Sequence, residues 1–211
     1  MTRKILLISE LALVFLAVPL LINQRVLPNR PIPFLLLLTL GAFLILRQEP
    51  AFDAEILVRF RGVAERIGPL LLRDAVLIVL LGIAVWRIAP ELLFSFVKTN
   101  PALWAVVMVL YPVLSVYPQE FLFRAYFFLR YAPLFGGGWR MVAASALAFG
   151  FVHIIFGNWL SVGLSAVGGV LFALTYQQSG SLVLSSIEHA LFGDFIFTIG
   201  IGQFFFHGAR R

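Results

Sequence analysis

The chain contains no cysteine. That excludes disulfides, thiolate catalysis and any zinc site built on cysteine. Charge is scarce as well. Only 12% of the 211 residues are Asp, Glu, Lys or Arg, against about 25% in an ordinary soluble domain. Hydrophobic residues make up 61%, and the mean hydropathy is +0.99. So little polar surface cannot cover a water-soluble globule. Regular apolar–polar alternation is missing too. A membrane β-barrel needs it in segments of about ten residues, and unbroken runs such as PFLLLLTLGAFLIL exclude that class. There is no HExxH helix and no GxSxG turn, so neither a zincin site nor a serine-hydrolase elbow is supported. No internal repeat and no linker divides residues 1–211, which read as one transmembrane domain.

What is present is apolar length. A spanning helix needs about 20 mostly apolar residues. Candidate spans fall at 5–22, 32–46, 69–88, 101–117, 119–134, 140–157, 160–177 and 181–206. Lipid does not solvate free backbone groups, so the spans must be helical. The fold class is therefore all-α, a polytopic integral membrane protein of about six to eight helices. The N-terminal MTRKILLISELALVFLAVPLLI has the basic start and apolar core of a signal peptide. Its apolar run is long, is interrupted by Glu10 and lacks a small-x-small cleavage site, so it reads as a retained first helix.

The net charge is +6. In this setting it does not point to nucleic acid. Lys and Arg hold loops at the anionic cytoplasmic leaflet, and the bilayer is the partner. The one extended polar stretch, 47–68, places Phe52, Ile56, Val63 and Ile67 at helical spacings. It reads as an amphipathic helix lying at the interface, on the cytoplasmic side with Arg3 and Lys4. Residues 1–100 thus comprise N-terminal helices and this interfacial segment. Residues 101–206 form the polar-bearing core. Within it Ser161, Ser165 and Gly169 recur every four residues, a small-residue face for close helix packing.

Ionisable residues inside spanning segments are costly, so they mark cavities, partners or chemistry. Glu120 and Arg124 stand four apart on one helix face. His153 lies on a second apolar segment, four residues after Phe149. Glu188 and His189 lie on a third, about 100° apart around the helix, with Asp194 five residues beyond His189. Asn158 sits at a segment end. Each group alone is as well explained by an internal ion pair or a satisfied core histidine. Together, a carboxylate and two imidazoles on three segments are what peptide hydrolysis inside a membrane requires. The carboxylate takes a proton from water, one histidine positions that water, and another donor meets the oxyanion. Glu120, His153 and His189 could also form a His₂Glu zinc set. No metal and no cofactor is expected.

At these residues the sequence resembles the CPBP family, the CAAX-protease and bacteriocin-processing (Abi) membrane proteases. The family motif Glu-Glu-x-x-x-Arg is matched by Gln119-Glu120-Phe121-Leu122-Phe123-Arg124. Phe-x-x-x-His is matched by Phe149 to His153. His-x-x-x-Asn/Asp is matched in part, at His189. The likeness covers roughly residues 101–206, and the surroundings of these motifs look like a bacterial branch. It implies helices around an intramembrane cavity and endopeptidase activity through a glutamate-activated water. The substrate would be a membrane-anchored protein or peptide, cut near its C-terminus, and the location the bacterial inner membrane. Glu120 would be the base, Arg124 its holder, His153 the water-positioning group and His189 the oxyanion donor. Asp194 or Asn158 would complete the hydrogen bonding, with Gln119, Phe149, Asn158 and Glu188 lining the substrate.

This sequence departs from the family twice. Gln119 stands where the usual base is, and Gln cannot act as one. Pro118 offers a kink that would re-aim Glu120. Gly193 stands where the third motif has Asn or Asp, with Asp194 one step off and Glu188 a second carboxylate nearby. Two other readings use the same residues. One is an inactive immunity or scaffold protein, which Gln119 and Gly193 favour. The other is a proton-coupled transporter, against which the lack of repeated halves counts.

Overall fold

The computed structural model describes residues 2–60 and 63–206. Among them there is no β-strand. Seven long helices form the bundle: α1 (Thr2–Asn23), α2 (Pro31–Leu46), α3 (Val63–Ile88), α4 (Pro101–Arg130), α5 (Trp139–Val152), α6 (Trp159–Ser179) and α7 (Leu182–Ile199). Six of the described helical stretches are long and apolar enough to cross a bilayer; α2, at 16 residues, is apolar but shorter. The protein is a polytopic all-α membrane protein.

Local sequence explains the helix ends. Asn100 caps α4 through the Leu103 N–H at 3.0 Å, and Pro101 occupies the first turn, where a missing N–H costs nothing. Asn158 caps α6 through the Ser161 N–H at 2.9 Å. Ser181 caps α7 through the Leu184 N–H at 3.2 Å. Gly180 supplies the left-handed turn (φ +63°) that leaves only two residues between the end of α6 and the start of α7.

Three sequence expectations are corrected. Residues 101–117 and 119–134 are not two spans. They form the single helix α4 and a short turn after it: Pro112 opens a wide π turn at Pro112–Val116, Pro118 sits in the α segment that follows, and a second π turn spans Phe121–Tyr126. The span expected at 181–206 ends at Ile199, where Gly200 takes φ +107°. Nor is 47–68 one amphipathic helix. Pro50 has no N–H to give one, and Asp53 folds back instead, accepting the Glu55 N–H at 2.9 Å and pairing with Arg59. Phe52, Ile56 and Leu57 tuck into the main core, while Val63 and Ile67 pack with Leu70 and Leu184. Their helical spacing in sequence reflects two separate docking sites. Residues 61 and 62 lie outside the described set, as do 207–211.

Two features position the polar residues. The first is an aromatic core. Phe15 meets Phe123 at 5.2 Å edge-on, and Phe123 meets Phe149 at 5.1 Å. Such contacts fix ring orientation as well as burying area. The second is the α5–α6 seam. A Cβ at Gly150 would lie 2.7 Å from the Ala166 Cβ, and one at Gly169 would lie 3.0 Å from the Ala146 Cα. Ser161, Ser165 and Gly169 are buried along this seam, so the small-residue face does serve packing.

Candidate active site

Glu120 lies between the two π turns of α4 and is 0% exposed, as is Arg124. A π turn carries an extra residue relative to an α turn and so advances the helix face by about one position. The turn at Pro112–Val116 thereby accounts for Glu120 facing the core where a regular helix would present residue 119. Gln119 turns aside and donates to Ser115 Oγ at 2.7 Å. The expected re-aiming of Glu120 is present. Its source is the π turn and not a kink at Pro118, which sits in the intervening α segment.

The carboxylate of Glu120 has two unlike partners. His189 Nδ1, from α7, lies 2.9 Å from Oε1. Because a carboxylate only accepts, Nδ1 carries the hydrogen. Arg124 Nε lies 3.2 Å from Oε2. That contact is ionic but not an aligned hydrogen bond, so Oε2 is a buried acceptor with no donor directed at it. Arg124 is held from its other end. Nη1 donates to Ser145 Oγ at 2.8 Å and to the Phe123 carbonyl at 3.2 Å. Ser145 is locked in turn by donating to the same carbonyl at 2.7 Å. The guanidinium lies 5.2 Å from the Phe149 ring centroid and 5.9 Å from that of Phe172, where a buried cation gains from the ring faces.

Phe149 joins the separate pieces. It lies edge-on to His189 at 5.3 Å and to His153 at 4.8 Å. Phe172 stacks on the His189 ring at 4.6 Å, 14° from parallel. His153 begins the short turn after α5, and its Nδ1 lies 2.7 Å from the Phe149 carbonyl. A carbonyl only accepts, so Nδ1 bears the hydrogen and Nε2 keeps a lone pair when the ring is neutral.

The remaining expected residues are placed elsewhere. Glu188 is buried and paired with Arg73 of α3, which also holds Asp74 at 2.9 Å. Asn158 donates to the Phe204 carbonyl at 2.8 Å besides capping α6, a structural use of its whole amide. Asp194 has an unpartnered Oδ1, and its carbonyl accepts from Thr198 at 2.7 Å. Among the described residues no three His, Asp or Glu side chains are grouped as metal ligands.

Sequence reasoning did not find Tyr111. Its hydroxyl lies 3.2 Å from His189 Nε2, so both nitrogens of that ring are engaged, and neither is free to donate to an oxyanion as expected from the motif. Tyr111 and His189 are 78 positions apart, and Tyr111 stands in no motif. Arg73, Asp74 and Ser145 escaped for the same reason.

Residues 99–193 match the family model described as type II CAAX prenyl endopeptidase Rce1-like. No curated protein and no solved structure matches the chain. The matched segment contains Glu120, Arg124, His153 and His189 and ends at Gly193. Over this segment the chain is similar to the CAAX-protease (CPBP) family of membrane endopeptidases.

Proposed function

We propose that the chain is an intramembrane endopeptidase in which Glu120 is the general base. The observation that carries this reading is the state of the Glu120 carboxylate. It is fully buried, oriented on one oxygen by His189, and left with an acceptor on the other that no donor satisfies. Water bound at that acceptor gives up a proton to the carboxylate as its oxygen adds to the scissile carbonyl carbon. The proton then passes to the departing amine as the C–N bond breaks. Arg124 keeps the carboxylate in place and balances its charge. The lone pair on His153 Nε2 orients the attacking water. His189 acts through Glu120, holding its orientation.

The substrate we propose is a membrane-anchored protein or peptide, cut near its C-terminus. Arg3 lies 3.9 Å from Glu49, and Arg130 contacts both Glu10 and Glu49. These contacts gather the start of α1, the end of α2 and the end of α4 at one basic end of the bundle. By the positive-inside bias that end faces the cytoplasm, in keeping with a bacterial inner membrane.

Gln119 favours a second reading, an inactive scaffold or immunity protein. One experiment separates the two. Membrane-protein C-termini are compared by mass spectrometry in host cells carrying wild type, Glu120→Ala or His153→Ala at matched protein levels. A set of cleaved termini that disappears in both variants supports the protease and names its substrates. Termini unchanged in both variants move the scaffold reading ahead.

A further inference from the structure

Gly193 occupies the place where the third family motif carries Asn or Asp, four residues after His189. On α7 it is buried, and it faces α4. A Cβ built at Gly193 would collide with the Tyr111 ring, and among the atoms it would meet is the Tyr111 hydroxyl oxygen. The space a side chain at 193 would fill is therefore already taken, and the group filling it ends in a polar hydroxyl. That hydroxyl reaches His189 Nε2 at 3.2 Å. The ring is braced by Phe197 at 5.2 Å, edge-on, and stands edge-on to His189 at 6.2 Å.

We infer that Tyr111 supplies from α4 the polar group that the motif would place at residue 193 of α7, and that it is the positioning residue for His189. The proton assignment follows from the neighbours. Glu120 Oε1 accepts from Nδ1–H, so in the neutral ring Nε2 is an acceptor, and the Tyr111 O–H donates to it. The two bonds together fix the tautomer. A His189 freed from Tyr111 can carry its hydrogen on Nε2, and Glu120 then loses the donor that orients it. Gly193 follows from the same arrangement: only a residue without a Cβ admits the tyrosine.

The inference rests on the protease reading for its activity readout but not for its spectroscopic one. The first measurement is ¹⁵N NMR of histidine-labelled protein in detergent, with His189 assigned by its loss in His189→Gln. The chain has three histidines, so the spectrum is simple. Wild type is expected to show Nδ1 protonated and Nε2 as a hydrogen-bonded acceptor. Tyr111→Phe keeps the ring and its packing on Phe197. It should move the His189 resonances and leave those of His153 in place. Unchanged His189 resonances would overturn the inference, whether or not the protein cleaves anything.

The second measurement is cleavage. Loss of one positioning hydrogen bond in Tyr111→Phe should lower kcat about tenfold with KM held. Tyr111→Ala combined with Gly193→Asn returns an amide to the motif position in the space vacated by the ring. It should recover activity relative to Tyr111→Ala alone. A double variant no better than that single one, in protein that folds as well, would count against the exchange. Wild type that cleaves nothing would instead sink the protease reading and leave the NMR arm to decide Tyr111.

Discussion

Two of the glutamate–arginine pairs in the bundle, one partly exposed and one fully buried, are built differently. Near the basic end Glu10 meets Arg130. Tyr126 donates to Glu10 Oε1 at 2.5 Å and Tyr131 at 3.0 Å, while Arg130 Nη2 reaches Oε2 at 2.7 Å. Burial, with Tyr126 and Glu10 beside it, holds the Tyr131 hydroxyl far above its ordinary titration range. Every donor on Glu10 is thus one that keeps its proton. Deeper in, Glu120 shares one oxygen with the His189 imidazole, whose second nitrogen is hydrogen-bonded to Tyr111, and keeps an undonated acceptor on the other. A saturated carboxylate has no capacity left for a proton and serves as a rivet between α1 and α4. A carboxylate oriented on one oxygen and holding a spare lone pair on the other is equipped for proton transfer. The lesson is that a buried acid is judged by its donors and not by its burial.

The largest test of this contrast is on the Glu120 side. Glu120→Gln should lower cleavage per folded molecule about 10²–10⁴-fold, the range of a lost general base. On the other side, Glu10→Gln should leave cleavage per folded molecule within about twofold. Its effect is on stability, where losing one of the two carboxylates on Arg130 costs about 1–2 kcal/mol, reduced from the fully buried case because the pair is partly exposed and Glu49 remains. Thermal unfolding in detergent measures it. Gly150→Ala sharpens the comparison by disturbing the α5 side of the Glu120–Arg124 pair without substituting a member of either pair. It overpacks the seam against Ala166 at a cost of about 1–3 kcal/mol, and by shifting α5 it should lower cleavage through His153 while Glu10 and its donors stay in place. The smallest effect is expected for Tyr126→Phe, about 1 kcal/mol of stability for one of several donors to Glu10, with cleavage unchanged.

The membrane class and the α-helices were legible because lipid imposes long apolar runs that composition cannot hide. The residues that meet at the site were legible in type and order: Glu120, Arg124, His153, Phe149 and His189 do converge on one core. What the sequence did not carry was phase and partnership. Whether residue 119 or 120 faces inward depends on a π turn, and nothing local in Pro112–Val116 announces its extra residue. Glu10 was visible only as an interruption in an apolar run, because its partner Arg130 lies 120 positions away. Glu188 looked like a substrate or catalytic carboxylate until Arg73, 115 positions earlier, proved to be its partner. The apolar spacing of 47–68 misled because helical periodicity does not require a helix when two separate hydrophobic pockets accept the same residues.

The most direct test of the account compares Glu120→Gln with Glu10→Gln in one assay. Each is reconstituted in vesicles with a protein whose C-terminus the wild-type chain removes, and product is quantified per folded molecule. Loss of cleavage in Glu120→Gln and near wild-type cleavage in Glu10→Gln are expected. Wild-type cleavage by Glu120→Gln, or an equal fall in both variants, would contradict that expectation.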